Sequence, residues 1–143
     1  MLFLKADTNS EMRRTSYEEL ADLVAAIEAL GEEDGWSGDL TFRISLVVDE
    51  LAQNVVDYAY NDTPGDVEVT VTSRDETVIV EITDEGKPFD PLTDAPAPDL
   101  TSPIESRSIG GLGVHFTKTL MDDVEYSRES GRNRLRIVTR KVR

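Results

Sequence analysis

Apolar residues recur along this chain with two different periods, and the changes of period mark its elements. "LFLKAD" at the start alternates and predicts a strand. In "SYEELADLVAAIEALGEE" Leu20, Leu23, Val24, Ile27 and Leu30 fall three or four apart, which predicts a helix with one buried stripe. Ser16 and Glu19 have capping-box spacing at its start, and Gly31 is expected to end it. After a turn at "GWSGDL", Asp39 can cap a second helix running to about Tyr60, with Leu40, Ile44, Val47, Leu51, Val55 and Tyr58 on one face. The breaker "NDTPGD" then gives way to a period of two: "VEVTVTSR" and "TVIVEITD" are β-branched runs joined at "RDE", which predicts a hairpin. From Gly86 to about Ile109 the chain carries prolines and no period. A loop this long inside a compact domain is a functional lid or a disordered segment. "GGLGVHFTKTLMDD" becomes helical after its glycines, and "VEYSRESGRNRLRIVTRKVR" closes as two strands across "ESGRN". The order β-α-α-β-β-loop-α-β-β predicts a two-layer α/β sandwich, a mixed sheet with helices on one face.

At 143 residues the chain is expected to form one domain, 1–143. It has neither an apolar run of membrane length nor a basic-then-apolar leader, so neither membrane nor secretion is expected. There are no cysteines, which removes disulfides and thiolate metal sites and fits a cytoplasmic protein. His115 is the one histidine and cannot build a metal cluster. A net charge of −14 weighs against direct nucleic-acid binding, where affinity comes from lysine and arginine replacing counterions. The charge is uneven: residues 128–143 hold six arginines and one lysine against one glutamate. Either these are closing strands with a solvated basic face, or they form a docking surface for an acidic partner or a second copy in a homodimer.

Three local features carry candidate chemistry. Glu50 and Asn54 lie four apart on the second helix and so are stacked neighbours. A carboxylate can act as general base, and an amide oxygen can ligate a hydrated magnesium ion on phosphates; the plainer reading is a solvated helix face. In "TDEGKPFDP", Asp84 ends a strand and could accept a hydrogen bond from an amine on a planar ring. Gly86 would let the backbone approach that ring; the alternative is an ordinary acidic turn. In "RSIGGLGVHF", glycines 110, 111 and 113 precede a helix and can turn backbone N–H groups on phosphates, with Arg107 adding a guanidinium fork. The P-loop and dinucleotide fingerprints are not matched, and a glycine hinge would look similar. Together the three features and the lid make up the separate parts of a nucleoside triphosphate site.

In order and spelling these segments resemble the GHKL (Bergerat-fold) ATP-binding superfamily, and within it the small anti-sigma-factor serine/threonine kinases of bacteria. "ELAQNVVDYAY" with the preceding Asp49 and Glu50 corresponds to the N-box, "DEGKPFDP" with Asp84 to the first glycine box, and "RSIGGLGVHFTKTLMDDVEY" to the second. The resemblance implies Mg-ATP as ligand, with Asn54 on the magnesium, Glu50 as catalytic base and Asp84 on the adenine amine. It implies that Gly86 lines the ring, that Gly111, Leu112 and Gly113 wrap the phosphates under a lid at about 86–110, and that Arg107 reaches the γ-phosphate or the protein substrate. The implied partners are a STAS-type antagonist, phosphorylated on serine or threonine, and a sigma factor. Tyr58 departs from the pattern, standing where the N-box often has histidine.

The expected function is therefore a protein serine/threonine kinase that also acts as a binding switch. The alternative is a nucleotide-gated binding module without phosphoryl transfer, and the presence of Glu50 favours the kinase.

Overall fold

The structure is a computed structural model and describes residues 2–6, 11–15, 20–55, 59, 67–94 and 117–142. In chain order its elements are β1 (Leu2–Ala6), β2 (Glu11–Thr15), α1 (Leu20–Asp34), α2 (Gly38–Asn54), β3 (Val67–Ser73), β4 (Thr77–Asp84), β5 (Asp123–Glu129) and β6 (Arg132–Arg140). The six strands form one sheet in the order β2-β1-β3-β4-β6-β5. The β1–β3 pair is parallel and the rest antiparallel, so the sheet is mixed as expected. Strand β2 is an addition to the expected order. "EMRRT" has no alternation to announce it, and its partner β1 supplies the pairing.

Alternation in β3 and β4 sends Val67, Val69, Val71, Val78, Val80 and Ile82 into the core, and β6 adds Leu135 and Ile137. The helices cover that face with Leu23, Ile27 and Leu30 of α1 and Leu40, Ile44, Val47, Val48 and Leu51 of α2. Each such side chain removed from water contributes about 1.5–3 kcal/mol, and this burial holds the two layers together.

The ends of α1 and α2 differ from the sequence expectation for steric reasons. Helix α1 runs past Gly31 to Asp34 and stops at Gly35, whose φ of 73° is the left-handed conformation that closes a helix. The closing bond runs from Trp36 N to Gly31 O, 2.8 Å. Gly31 instead makes room for α2: a Cβ there would stand 2.6 Å from Thr41 Oγ1 and 2.8 Å from the Trp36 ring. Ser37, not Asp39, caps α2, its hydroxyl accepting from Leu40 N at 3.1 Å. Asp39 lies in the first turn and pairs with Arg43 at 2.9 Å. Arg43 is buried and also donates to Leu120 O (3.2 Å) and Thr139 Oγ1 (3.0 Å), tying α2 to the helical turn at 117–120 and to β6. The proposed cap at Ser16 and Glu19, the helix positions beyond Val55 apart from Ala59, and most of the third glycine segment lie outside the described residues.

The two closing strands form the expected hairpin. Its turn has φ of 52° at Ser130 and 77° at Gly131, the paired left-handed torsions that match strand twist. On β6 the outward positions are Arg132, Arg134, Arg136, Val138 and Arg140, and the inward ones are Asn133, Leu135, Ile137 and Thr139. On that outward face Arg134 pairs with Glu81, and Arg132 donates to Thr83 Oγ1 at 3.3 Å. A depression of about 310 Å³ there is lined by Thr83, Ser127, Glu129, Ser130, Arg132 and Arg134. It lies on the opposite side of the sheet from the inward-facing Asp84 and Asn133.

Candidate functional site

Register decides what gathers at one end of the inward face. Across β4, β6 and β5 the rows read Val80–Ile137–Val124, then Ile82–Leu135–Tyr126, then Asp84–Asn133–Arg128. Two apolar rows thus end in a polar one, where β4 gives way to the loop at 85–89. Asp84 is only 2% exposed. Its Oδ1 accepts from Gly86 N (2.9 Å) and from Asn133 Nδ2 (2.9 Å), while no described residue donates to Oδ2. Burial is the dominant influence and raises the Asp84 pKa above 3.8. Hydrogen bonds from Asn133 and Gly86 and the charges of Arg128 and Arg132 oppose it.

The loop after β4 meets Ala59. Lys87 N donates to Ala59 O at 3.1 Å, and Arg128 Nη1 donates to Gly86 O at 2.7 Å. A Cβ on Gly86 would stand 2.8 Å from Ala59 O and 2.9 Å from Ala59 C. The glycine is therefore required by the packing of loop on helix. The sequence singles out Gly86 on different physical grounds, the approach of a ring.

The last turns of α2 carry Glu50 and Asn54. Glu50 is half-buried. Asn54 is 3% exposed, and its Nδ2 is sealed from solvent with no hydrogen-bond partner among the described residues. An unpartnered buried amide costs about 1–3 kcal/mol, so an arrangement that keeps one points to a group that completes it. Asp49, beside Glu50 on the outer side, has its pKa raised by partial burial.

The structure thus brings Asp84, Gly86 and Asn133 together at the end of β4, against Ala59, while Glu50 and Asn54 lie one turn apart in the last turns of α2. Arg107, Gly111, Leu112 and Gly113 lie outside the described residues, as do Tyr58, His115 and the lid beyond residue 94. Sequence reasoning missed Asn133, Tyr126 and Arg128. The available signal was an asparagine at the first inward position of an alternating strand, where an apolar residue is the rule. No group of three or more His, Asp or Glu side chains among the described residues is arranged to hold a metal ion. The unpartnered Nδ2 of Asn54 is a donor, so what it could complete is a bond to an acceptor oxygen of a ligand; only Oδ1 of the same amide could join a cation's shell.

A mixed sheet covered on one face by helices is the fold of a Bergerat-type ATPase domain. The chain belongs to the histidine kinase-like ATPase domain family, whose model matches residues 14–139. It is 30% identical over 121 residues to the serine/threonine-protein kinase BtrW of Bordetella bronchiseptica, covering 82% of this chain and 83% of that protein. It is 32% identical over 108 residues to the serine-protein kinase RsbW of Halalkalibacterium halodurans, covering 73% of this chain and 66% of that protein. Among solved structures, the catalytic domain of the histidine kinase ThkA superposes with a TM-score of 0.53 at 17% identity, covering 85% of this chain and 92% of that one. That likeness is one of fold.

Proposed function

We propose that this protein is a serine/threonine protein kinase that binds Mg-ATP and phosphorylates a small STAS-type antagonist, the switch by which it would also hold or release a sigma factor. The observation that supports the reading is Asn54, a buried amide whose Nδ2 has no hydrogen-bond partner among the described residues and could donate to a phosphate oxygen, in a chain whose relatives BtrW and RsbW are named protein kinases. On this reading Asp84 Oδ2 accepts the adenine amine, Gly86 lines the ring, and the amide oxygen of Asn54 ligates the magnesium ion. The metal would supply positive charge against the phosphate oxygens. Glu50 accepts the proton of the acceptor hydroxyl as its oxygen bonds to the γ-phosphorus and the bond to the departing ADP oxygen breaks. Arg107 and the backbone of Gly111, Leu112 and Gly113 would enclose the phosphates beneath a lid at about 86–110. With no described helix long and apolar enough to cross a membrane, a cytoplasmic setting suits these partners.

The test is transfer of labelled phosphate from Mg-ATP to candidate antagonist proteins, repeated with Glu50→Gln. Transfer that the substitution abolishes is the expected result. Nucleotide binding with no transfer to any candidate would make the protein a nucleotide-gated binding module, and absence of nucleotide binding would overturn both readings.

A further inference from the structure

The side chain of Asn133 uses every hydrogen-bonding position an amide has. Its Nδ2 donates to Asp84 Oδ1 (2.9 Å) and to Lys87 O (2.8 Å). Its Oδ1 accepts from Phe89 N (3.2 Å) and from the Tyr126 hydroxyl (2.5 Å). Only one orientation of the amide is compatible with these partners, because Lys87 O and the carboxylate can only accept while Phe89 N–H can only donate. Two consequences follow. The amide ties the first residues of the loop after β4 to the Asp84 carboxylate, so loop and carboxylate keep one relative position. It also fills Oδ1 together with Gly86 N–H, leaving Oδ2 as the acceptor a ligand can use.

We infer that Asn133, itself anchored by Tyr126, is a positioning residue that makes the site discriminate a 6-amino purine from a 6-keto purine. This rests on the nucleotide-site reading above. A purine amine donates to Oδ2, whereas a 6-keto oxygen would place acceptor against acceptor in a buried setting, with neither group paired. Asn133 maintains this contrast in two ways. It fixes the rotation of the carboxylate, and its hydrogen bond is the first of the influences opposing the effect of burial on Asp84. Without it, burial would favour the protonated acid, whose O–H can donate to a 6-keto oxygen.

The experiment is a direct titration of the intact protein with ATP and with inosine triphosphate in magnesium buffer, for wild type, Asn133→Ala and Tyr126→Phe. Each affinity ratio is internal to one protein, so a variant with less folded material loses signal amplitude and keeps its ratio. Wild type is expected to prefer ATP by at least about tenfold, the difference that 1.4 kcal/mol makes. In Asn133→Ala the preference should shrink to within about threefold, mainly through weaker ATP binding, and Tyr126→Phe should fall between. Where Asn133→Ala does not fold, Tyr126→Phe decides alone. A wild-type ratio in the folded variants would overturn the inference and leave the nucleotide site standing. Equal wild-type binding of the two nucleotides would do the same, while wild type binding neither would remove the nucleotide reading as well.

Discussion

Two asparagines border the candidate site, and their surroundings are opposite. Asn133 on β6 makes four hydrogen bonds and joins Asp84, Tyr126, Lys87 and Phe89 into one network. Asn54 on α2 is equally buried, yet its Nδ2 has no hydrogen-bond partner among the described residues. The Asn133 amide is saturated without a ligand, and among the described residues the Asn54 amide is not. A saturated amide contributes to folding and positions its neighbours, whereas an unsatisfied one costs folding energy that binding can return.

The sharpest way to break this contrast is the same near-isosteric change at both positions. Asn133→Leu should destabilise the protein by about 2–4 kcal/mol in urea unfolding, because it removes four hydrogen bonds at once, those to the Asp84 carboxylate, Lys87 O, Phe89 N–H and the Tyr126 hydroxyl. Gly86→Ala tests the junction between the two sides. Its new Cβ meets Ala59 O at 2.8 Å, and a loss of about 1–3 kcal/mol from overpacking is expected in the same measurement. Asn54→Leu should leave the melting temperature of the ligand-free protein unchanged or raised, since it removes an unpaired polar group. Calorimetry should show Mg-ATP affinity falling by about tenfold, or 1.4 kcal/mol. A loss of stability as large as that at Asn133 would end the contrast.

Acidity sharpens the strand side. The folded pKa of Asp84 is raised above 3.8, so the folded chain holds this proton more tightly than the unfolded chain. Its contribution to stability is therefore fully present below pH 3.8 and is lost as pH rises through the raised value. Wild type should lose stability relative to Asp84→Asn over that interval, followed by thermal unfolding at a series of pH values. A flat difference would mean that Asp84 titrates normally. The smallest effect is expected on the outward face, where Arg134 and Glu81 are a surface pair with side chains 51% and 30% exposed. Glu81→Ala should change stability by less than about 1 kcal/mol.

Much of this was legible from spacing alone. The hairpin of β3 and β4, the apolar stripes of α1 and α2 and the closing strands all follow from periodicity, because alternation and helical repeat report directly which face is buried. Asp84 and Asn54 were legible as polar residues where a core-only element would have had none. Helix ends were less so. Ser37 and Asp39 are both good caps in isolation, and packing of Gly31 against Trp36 and Thr41 decided that α1 would run on to Gly35. Strand β2 gave no local signal at all.

By itself the sequence determined the periods, hence the elements, the layer arrangement and the family to which the chain belongs. Those properties are local, or repeat often enough to be read without knowing what touches what. Only the tertiary structure decided that Asn133 would lie beside Asp84, 49 positions away in sequence. The same holds for the place of Gly86 against Ala59 and for the lack of a described partner at Asn54 Nδ2. Strand register and helix–loop packing set those distances, and both depend on pairs of residues that no single stretch of chain contains.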